Sequence, residues 1–151
     1  MAAKDYLFNP ERNPLNRSDY RPAEYKIATA NLGINLDEEN TQVRSLIAVE
    51  RNPAVPGLGG PLVLDGENLK LKSVQILENG QLRDLDPQEF IVTDKHLIIK
   101  RPPAGRFSLE IVTEINPAAN TQLSGIYTAG DILCSQCEAQ GFRRITYFLD
   151  R

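Results

Sequence analysis

Two cysteines, an amide and a carboxylate lie together near the end of the 151-residue chain. Cys134 and Cys137 form a C-x-x-C pair, with Gln136 between them and Glu138 directly after. A zinc ribbon requires a full tetrahedron of Cys or His ligands, and the whole sequence has two Cys and one His, so a zinc ribbon is excluded. Two interpretations of the pair remain open: a thioredoxin-like redox dithiol, or two small apolar residues that flank a turn.

The sequence before the pair bears on the redox interpretation. A redox C-x-x-C pair should lie where a strand meets the N-terminus of a helix, because the helix lowers the pKa of the first thiol. The residues before Cys134 have instead the pattern of antiparallel β structure. This context favours packing over redox chemistry.

Other residues that could do chemistry stand alone. By composition, Gln136, Glu138 and Gln140 are no different from solvated surface groups. His96 begins an apolar stretch, and we assign it no catalytic role. Residues 57–60 (Gly-Leu-Gly-Gly) lack the Lys-Ser/Thr of a P-loop and a following helix, so they are predicted to form a turn-rich loop.

Composition excludes several classes of partner. The net charge is -3, and Lys and Arg are spread along the chain, which argues against nucleic acid. The N-terminus lacks the apolar segment of a signal peptide, and no apolar run approaches the roughly 18 residues of a membrane span. Two cysteines are too few for a secreted disulfide scaffold. We therefore expect a soluble, cytoplasmic protein with no membrane partner.

The elements that must position the motif are predicted to be β-strands. Residues 1–23, with Pro10, Pro14 and Pro22, are predicted to be an extended arm, and residues 24–151 a β-rich domain. A phase slip near Ser73 indicates a β-bulge, and Asn79-Gly80 indicates a tight hairpin. The first strand, within residues 24–36, alternates apolar and polar residues and is predicted to be half-buried. Further strands are predicted at 43–51, 62–64, 69–77, 90–92, 96–100 and 107–115.

These strands predict an all-β fold, an antiparallel sandwich or a saddle-like curved sheet. Within it, the segment from Leu133 to Arg143 and the following Ile145 to Arg151 resemble the N-terminal domain of the bacterial aminopeptidase N family, the alanyl aminopeptidases of the gluzincin class. Upstream, residues 19–25 and 64–71 are also similar to the family. The resemblance covers nearly everything from about Ser18 onward.

The resemblance implies a role for two residues. In the family, the N-terminal domain docks on a thermolysin-like catalytic domain, and the positions of Gln136 and Glu138 reach the active site. Both residues are therefore expected to bind the α-amino group of a peptide substrate. The resemblance also implies zinc in the parent enzyme, held by an H-E-x-x-H motif and a downstream Glu that this chain lacks, so no catalytic or metal residue is expected here.

The family's domain continues beyond Arg151, so the resemblance implies a fold that is incomplete at its C-terminus and inactive alone. A freestanding, non-catalytic β-sandwich that binds a partner is the alternative. A freestanding module should present no large apolar patch, whereas a partial domain should leave apolar surface uncovered.

Overall fold

The computed structural model describes residue 20 and residues 22–55, 59–78 and 80–150. Most of the predicted N-terminal arm lies outside these residues, as does part of the predicted loop at 57–60. The division of the chain at residue 23 therefore stays a prediction. Within the described residues, no helix has the length and apolar character needed to cross a bilayer.

The described residues form ten strands and one short 3₁₀ helix, Phe142–Arg144. The strands are β1 Tyr25–Asn35, β2 Thr41–Arg51, β3 Leu62–Asp65, β4 Lys70–Glu78, β5 Gln81–Asp84, β6 Phe90–Val92, β7 His96–Ile99, β8 Phe107–Ile115, β9 Gly125–Ala129 and β10 Ile132–Gln136.

All strand pairs are antiparallel, which confirms the predicted all-β class. The largest sheet has the order β1-β2-β8-β4-β5, a second has the order β3-β7-β6, and β9 and β10 form a separate hairpin. The inner faces of the two larger sheets share one hydrophobic core, which makes the arrangement a sandwich. Its fully buried aliphatic side chains include Ile47, Leu62, Leu64, Leu97, Leu109 and Ile111.

Local sequence signals located several elements correctly. The pairing between β4 and β8 shifts register between Leu71 and Ser73, where a bulge is predicted. Glu78 pairs with Gln81, and Gly80 has a φ of 79°, as a two-residue hairpin requires. Asn79, the other residue of that turn, lies outside the described residues.

The predicted burial of the first strand is wrong. Ile34 lies opposite Val43 and Leu32 opposite Ser45, and both residues of β2 are fully buried. Yet Ile34 is 43% exposed and Leu32 is 41% exposed. Because β1 is the edge of its sheet, the layer that covers β2 leaves the apolar row of β1 uncovered.

The β9–β10 hairpin was not among the predicted strands. Ala129 pairs with Ile132 across a turn at Gly130-Asp131, and Gly130 has a φ of 62°. Gly-Asp between two apolar segments is a recognised hairpin signal, so this hairpin could have been found from the sequence.

Candidate functional site

The β9–β10 hairpin and the turn after it present both predicted site residues. Gln136 is the last residue of β10 and pairs with Gly125, the first residue of β9. Glu138 lies in the following turn, which ends at Gly141, directly before the 3₁₀ helix. Sequence order alone therefore brings Gln136 and Glu138 to one rim of the hairpin.

The turn is tight and depends on a glycine. The Gly141 N–H donates a hydrogen bond of 2.7 Å to the Cys137 carbonyl. A Cβ atom at position 141 would lie 2.7 Å from Cys137 Cα and 2.9 Å from Ser124 Oγ, and closer still to the Gln136 carbonyl oxygen. Real Cβ atoms do not approach other atoms so closely, so a larger residue would force the turn open.

Gln136 and Glu138 both point functional groups to the surface. Both residues are exposed, and the Glu138 N–H lies 3.5 Å from Gln136 Oε1, to which it donates. Glu138 forms no salt bridge with any residue in the described part of the chain. The peptide bond between Glu138 and Ala139 is cis. The turn thus offers a carboxylate and an amide to a cationic or hydrogen-bonding ligand.

A network of charges follows the turn. The Arg143 Nε donates a 2.9 Å hydrogen bond to Asp150 Oδ2, and the Arg144 Nη2 donates one of 2.7 Å to Glu67 Oε2. The Asp150 N–H donates to Asp65 Oδ2 at 3.2 Å. We call these five residues, Asp65, Glu67, Arg143, Arg144 and Asp150, the charge clamp.

The charge clamp is not visible in the sequence pattern. Arg144 and Glu67 are 77 positions apart, and Asp150 and Asp65 are 85 positions apart. No local spacing rule joins residues at such distances. The clustering of Arg143, Arg144 and Asp150 after the motif is the one sequence signal that could have drawn attention to them.

His96 borders the clamp as a neutral side chain. It is the first residue of β7, and its Nε2 lies 3.7 Å from Asp65 Oδ1. Burial lowers the pKa of His96 from its ordinary value, although the Asp65 carboxylate opposes this. Burial likewise raises the pKa of Asp65, and the Arg143 guanidinium opposes that shift. The position at a strand start agrees with the sequence prediction.

The two thiols do not have the surroundings of a redox pair. Both Cys134 and Cys137 are free and partly buried. Burial, with a smaller effect of the Asp150 carboxylate, raises the pKa of Cys137. Cys134 lies in β10 and not at the start of a helix. A reactive thiol needs a lowered pKa, so the structure favours the packing interpretation.

The described residues do not fit a catalytic zinc. They contain no group of three or more His, Cys, Asp or Glu side chains that could hold a metal ion. A groove of about 400 Å³ lies between the end of β8 and the start of β9, lined among others by Asn68, Asn116, Asn120 and Arg144. It does not include Gln136 or Glu138, which lie on an open surface.

Comparisons with known proteins agree with the sequence resemblance. Aminopeptidase N of Escherichia coli (strain K12) is 44% identical over 135 residues, which are 89% of this chain and 14% of that protein. The chain therefore spans about one seventh of the length of this relative. No family model matches the chain.

Solved structures give the same relationship at the level of the fold. Aminopeptidase A of Legionella pneumophila, in complex with aspartic acid, superposes with a TM-score of 0.79 at 32% identity, over 89% of this chain and 15% of that chain. An M1 zinc metallopeptidase from Deinococcus radiodurans superposes with a TM-score of 0.64 over 86% of this chain and 30% of that one. At 17% identity, the second match shows a shared fold alone.

Proposed function

Because the chain belongs to the aminopeptidase N family over the region that it matches, we propose that it is an N-terminal part of a zinc-dependent alanyl aminopeptidase. The proposed parent enzyme removes residues from the N-termini of peptides. This part holds the α-amino group of the substrate with Gln136 and Glu138. The observation that carries the proposal is the turn after β10, which presents these two side chains together and exposed.

The chemistry of an α-amino group suits these two side chains. With a pKa of about 7.7–8.0, the amine of a peptide is mostly cationic at neutral pH. The Glu138 carboxylate accepts a charge-assisted hydrogen bond from this cation, which is roughly twice as strong as a neutral one. Gln136 Oε1, already beside the Glu138 N–H, accepts a second hydrogen bond. Binding the amine also fixes its distance to the scissile bond, which makes the enzyme exo-acting.

The zinc belongs to the part of the parent enzyme that this chain lacks. When bound there, zinc would supply Lewis-acid chemistry for hydrolysis of the peptide bond. This chain contributes binding and orientation of the substrate, and we expect it to be inactive alone. Its partners are peptides with a free N-terminus and the catalytic domain of the same polypeptide.

We place the parent enzyme in the cytoplasm. One observation supports that location: Cys134 and Cys137 are free thiols, which persist in a reducing compartment.

The exposed apolar row at the end of β1 counts against a freestanding binding module. Leu32 and Ile34 of β1, and Leu36 directly after it, are 41%, 43% and 58% exposed, although they follow the alternation of a covered strand. A freestanding module would be expected to bury or replace such residues. The row fits a domain that is completed by further polypeptide.

The proposal is tested by substituting Glu138 in the full-length enzyme that carries this segment. We expect Glu138→Ala to lower kcat/KM by about 100-fold or more, because the cationic amine loses its charged partner. Gln140→Ala is the matched control, since Gln140 is an exposed residue of the same turn with no proposed contact. A Glu138→Ala enzyme with near-normal kcat and KM would contradict the proposal.

A further inference from the structure

We propose that the charge clamp is a positioning device, which fixes the turn that presents Gln136 and Glu138. This inference rests on the proposed function, because it assumes that the position of those two side chains matters for substrate binding. Its members join the end of β3 and the residues after it to the segment directly after the turn.

The clamp holds that segment through both side chains and backbone. The Glu67 N–H donates a 2.9 Å hydrogen bond to the Arg143 carbonyl, while the Glu67 carboxylate accepts from Arg144. Asp65 exchanges two backbone hydrogen bonds with Phe148, at 2.7 Å and 3.0 Å. The 3₁₀ helix and the residues after it are thereby attached to the end of β3 and the residues that follow it.

Two contacts connect the clamp to the turn, one through Gly125 and one through Gly141. Gly125 is the pairing partner of Gln136, and a Cβ atom on Gly125 would lie 2.7 Å from Arg144 Cβ. Arg144 therefore packs directly on Gly125, the residue that pairs with Gln136 in the β9–β10 ladder. On the other side, Gly141 joins the turn to the 3₁₀ helix and hydrogen bonds to Cys137. The turn is held between the β9–β10 ladder and the clamp.

Burial makes these ion pairs different from ordinary surface pairs. The side chains of the clamp are 14–25% exposed. Arg83 in β5 and its partners Glu78 and Glu89, by comparison, have side chains that are 40–48% exposed. Exposed pairs contribute little, whereas a partly buried charge that loses its partner is destabilised. Removing one clamp residue should therefore move its neighbours.

The hydrogen bonds made at position 143 also require an arginine. Its Nε and Nη2 donate to Asp150 Oδ2 and to the Asp150 carbonyl, both at 2.9 Å. A lysine carries the charge but cannot make these two hydrogen bonds in a fixed plane. We expect Arg143→Lys to restore part, and not all, of the function that Arg143→Gln loses.

The test is a double-mutant cycle in the full-length enzyme that carries this segment. We expect Arg143→Gln to lower kcat/KM by about 10-fold, mainly through a higher KM, because the amine site is displaced. In a Glu138→Ala background, Arg143→Gln should cost less than about 3-fold, because the group that it positions is already gone. Arg83→Gln is the control for the loss of an arginine and its ion pairs, since Arg83 pairs with Glu78 and Glu89 and with no residue of the clamp.

Hydrogen exchange of the amides in residues 137–141 gives a readout that does not depend on activity. Arg143→Gln should increase exchange there, and Arg83→Gln should not. If the effects of Arg143→Gln and Glu138→Ala on kcat/KM multiply, or if exchange in the turn is unchanged, the positioning role is overturned while amine recognition stands. If Glu138→Ala alone leaves kcat/KM unchanged, amine recognition itself is overturned.

Discussion

Gly141 is the residue on which the shape of the candidate site depends most directly. Its N–H closes the turn onto Cys137, and its missing side chain leaves room for the Gln136 carbonyl and for Ser124. Its φ of −81° is open to any residue, so the requirement is one of space and not of backbone conformation. The motif resemblance located Gln136 and Glu138, but the need for glycine follows only from contacts in three dimensions.

Substituting this glycine should therefore displace the site without breaking the sandwich. In the full-length enzyme we expect Gly141→Ala to lower kcat/KM by about 10- to 100-fold, because a shift of about 1 Å in a binding group is costly. Gly33→Ala is the control, since a Cβ atom there meets nothing within 4 Å. Steady-state kinetics of the two variants would show equal activity if the turn did not need this glycine.

At the scale of the elements, the sequence predicts features that depend on adjacent residues, and it does not predict features that depend on contacts between distant strands. The Asn79-Gly80 and bulge signals are local, because turn chemistry and strand phase are set by adjacent residues. The burial of β1 is not local: alternation predicts which side chains share a face, and only the opposite layer decides whether that face is covered. Likewise, residues 65 and 67 could not be joined to 143, 144 and 150 without the topology.

The uncovered row of β1 leads to a prediction about stability. We expect the pair Leu32→Thr and Ile34→Thr to leave the free energy of unfolding of the isolated chain nearly unchanged, because both side chains are already exposed. The same pair should reduce binding of a hydrophobic dye and aggregation.

Leu109→Ala supplies the contrast, because Leu109 is fully buried in the core. It should lower the free energy of unfolding by about 2–5 kcal/mol in denaturant titrations. An equally large loss from the β1 pair would mean that the row is covered in solution.

At the scale of the whole molecule, His96, which borders the charge clamp, makes the fold sensitive to acid. The pKa of His96 in the folded state lies below its ordinary value of 6.5, with burial as the main cause. Acidification therefore protonates the unfolded chain before the folded one. This stability contribution is fully present above about pH 6.5 and is lost as the pH falls below it.

We accordingly expect the melting temperature of the isolated chain to fall between about pH 7 and about pH 5, and to fall less in His96→Gln. Calorimetry at matched ionic strength measures the difference. If the melting temperature depends on pH in the same way in wild type and in His96→Gln, His96 is equally easy to protonate in the folded and unfolded states.

The most direct test of amine recognition by Glu138 compares two substrates in the full-length enzyme. One is an amino-acid anilide with a free α-amino group, and the other is the same anilide without that amine. We predict that wild type prefers the amine strongly and that Glu138→Ala loses most of this preference, by about 100-fold in the ratio of kcat/KM. If Glu138→Ala slows both substrates equally and the ratio is unchanged, Glu138 does not bind the α-amino group.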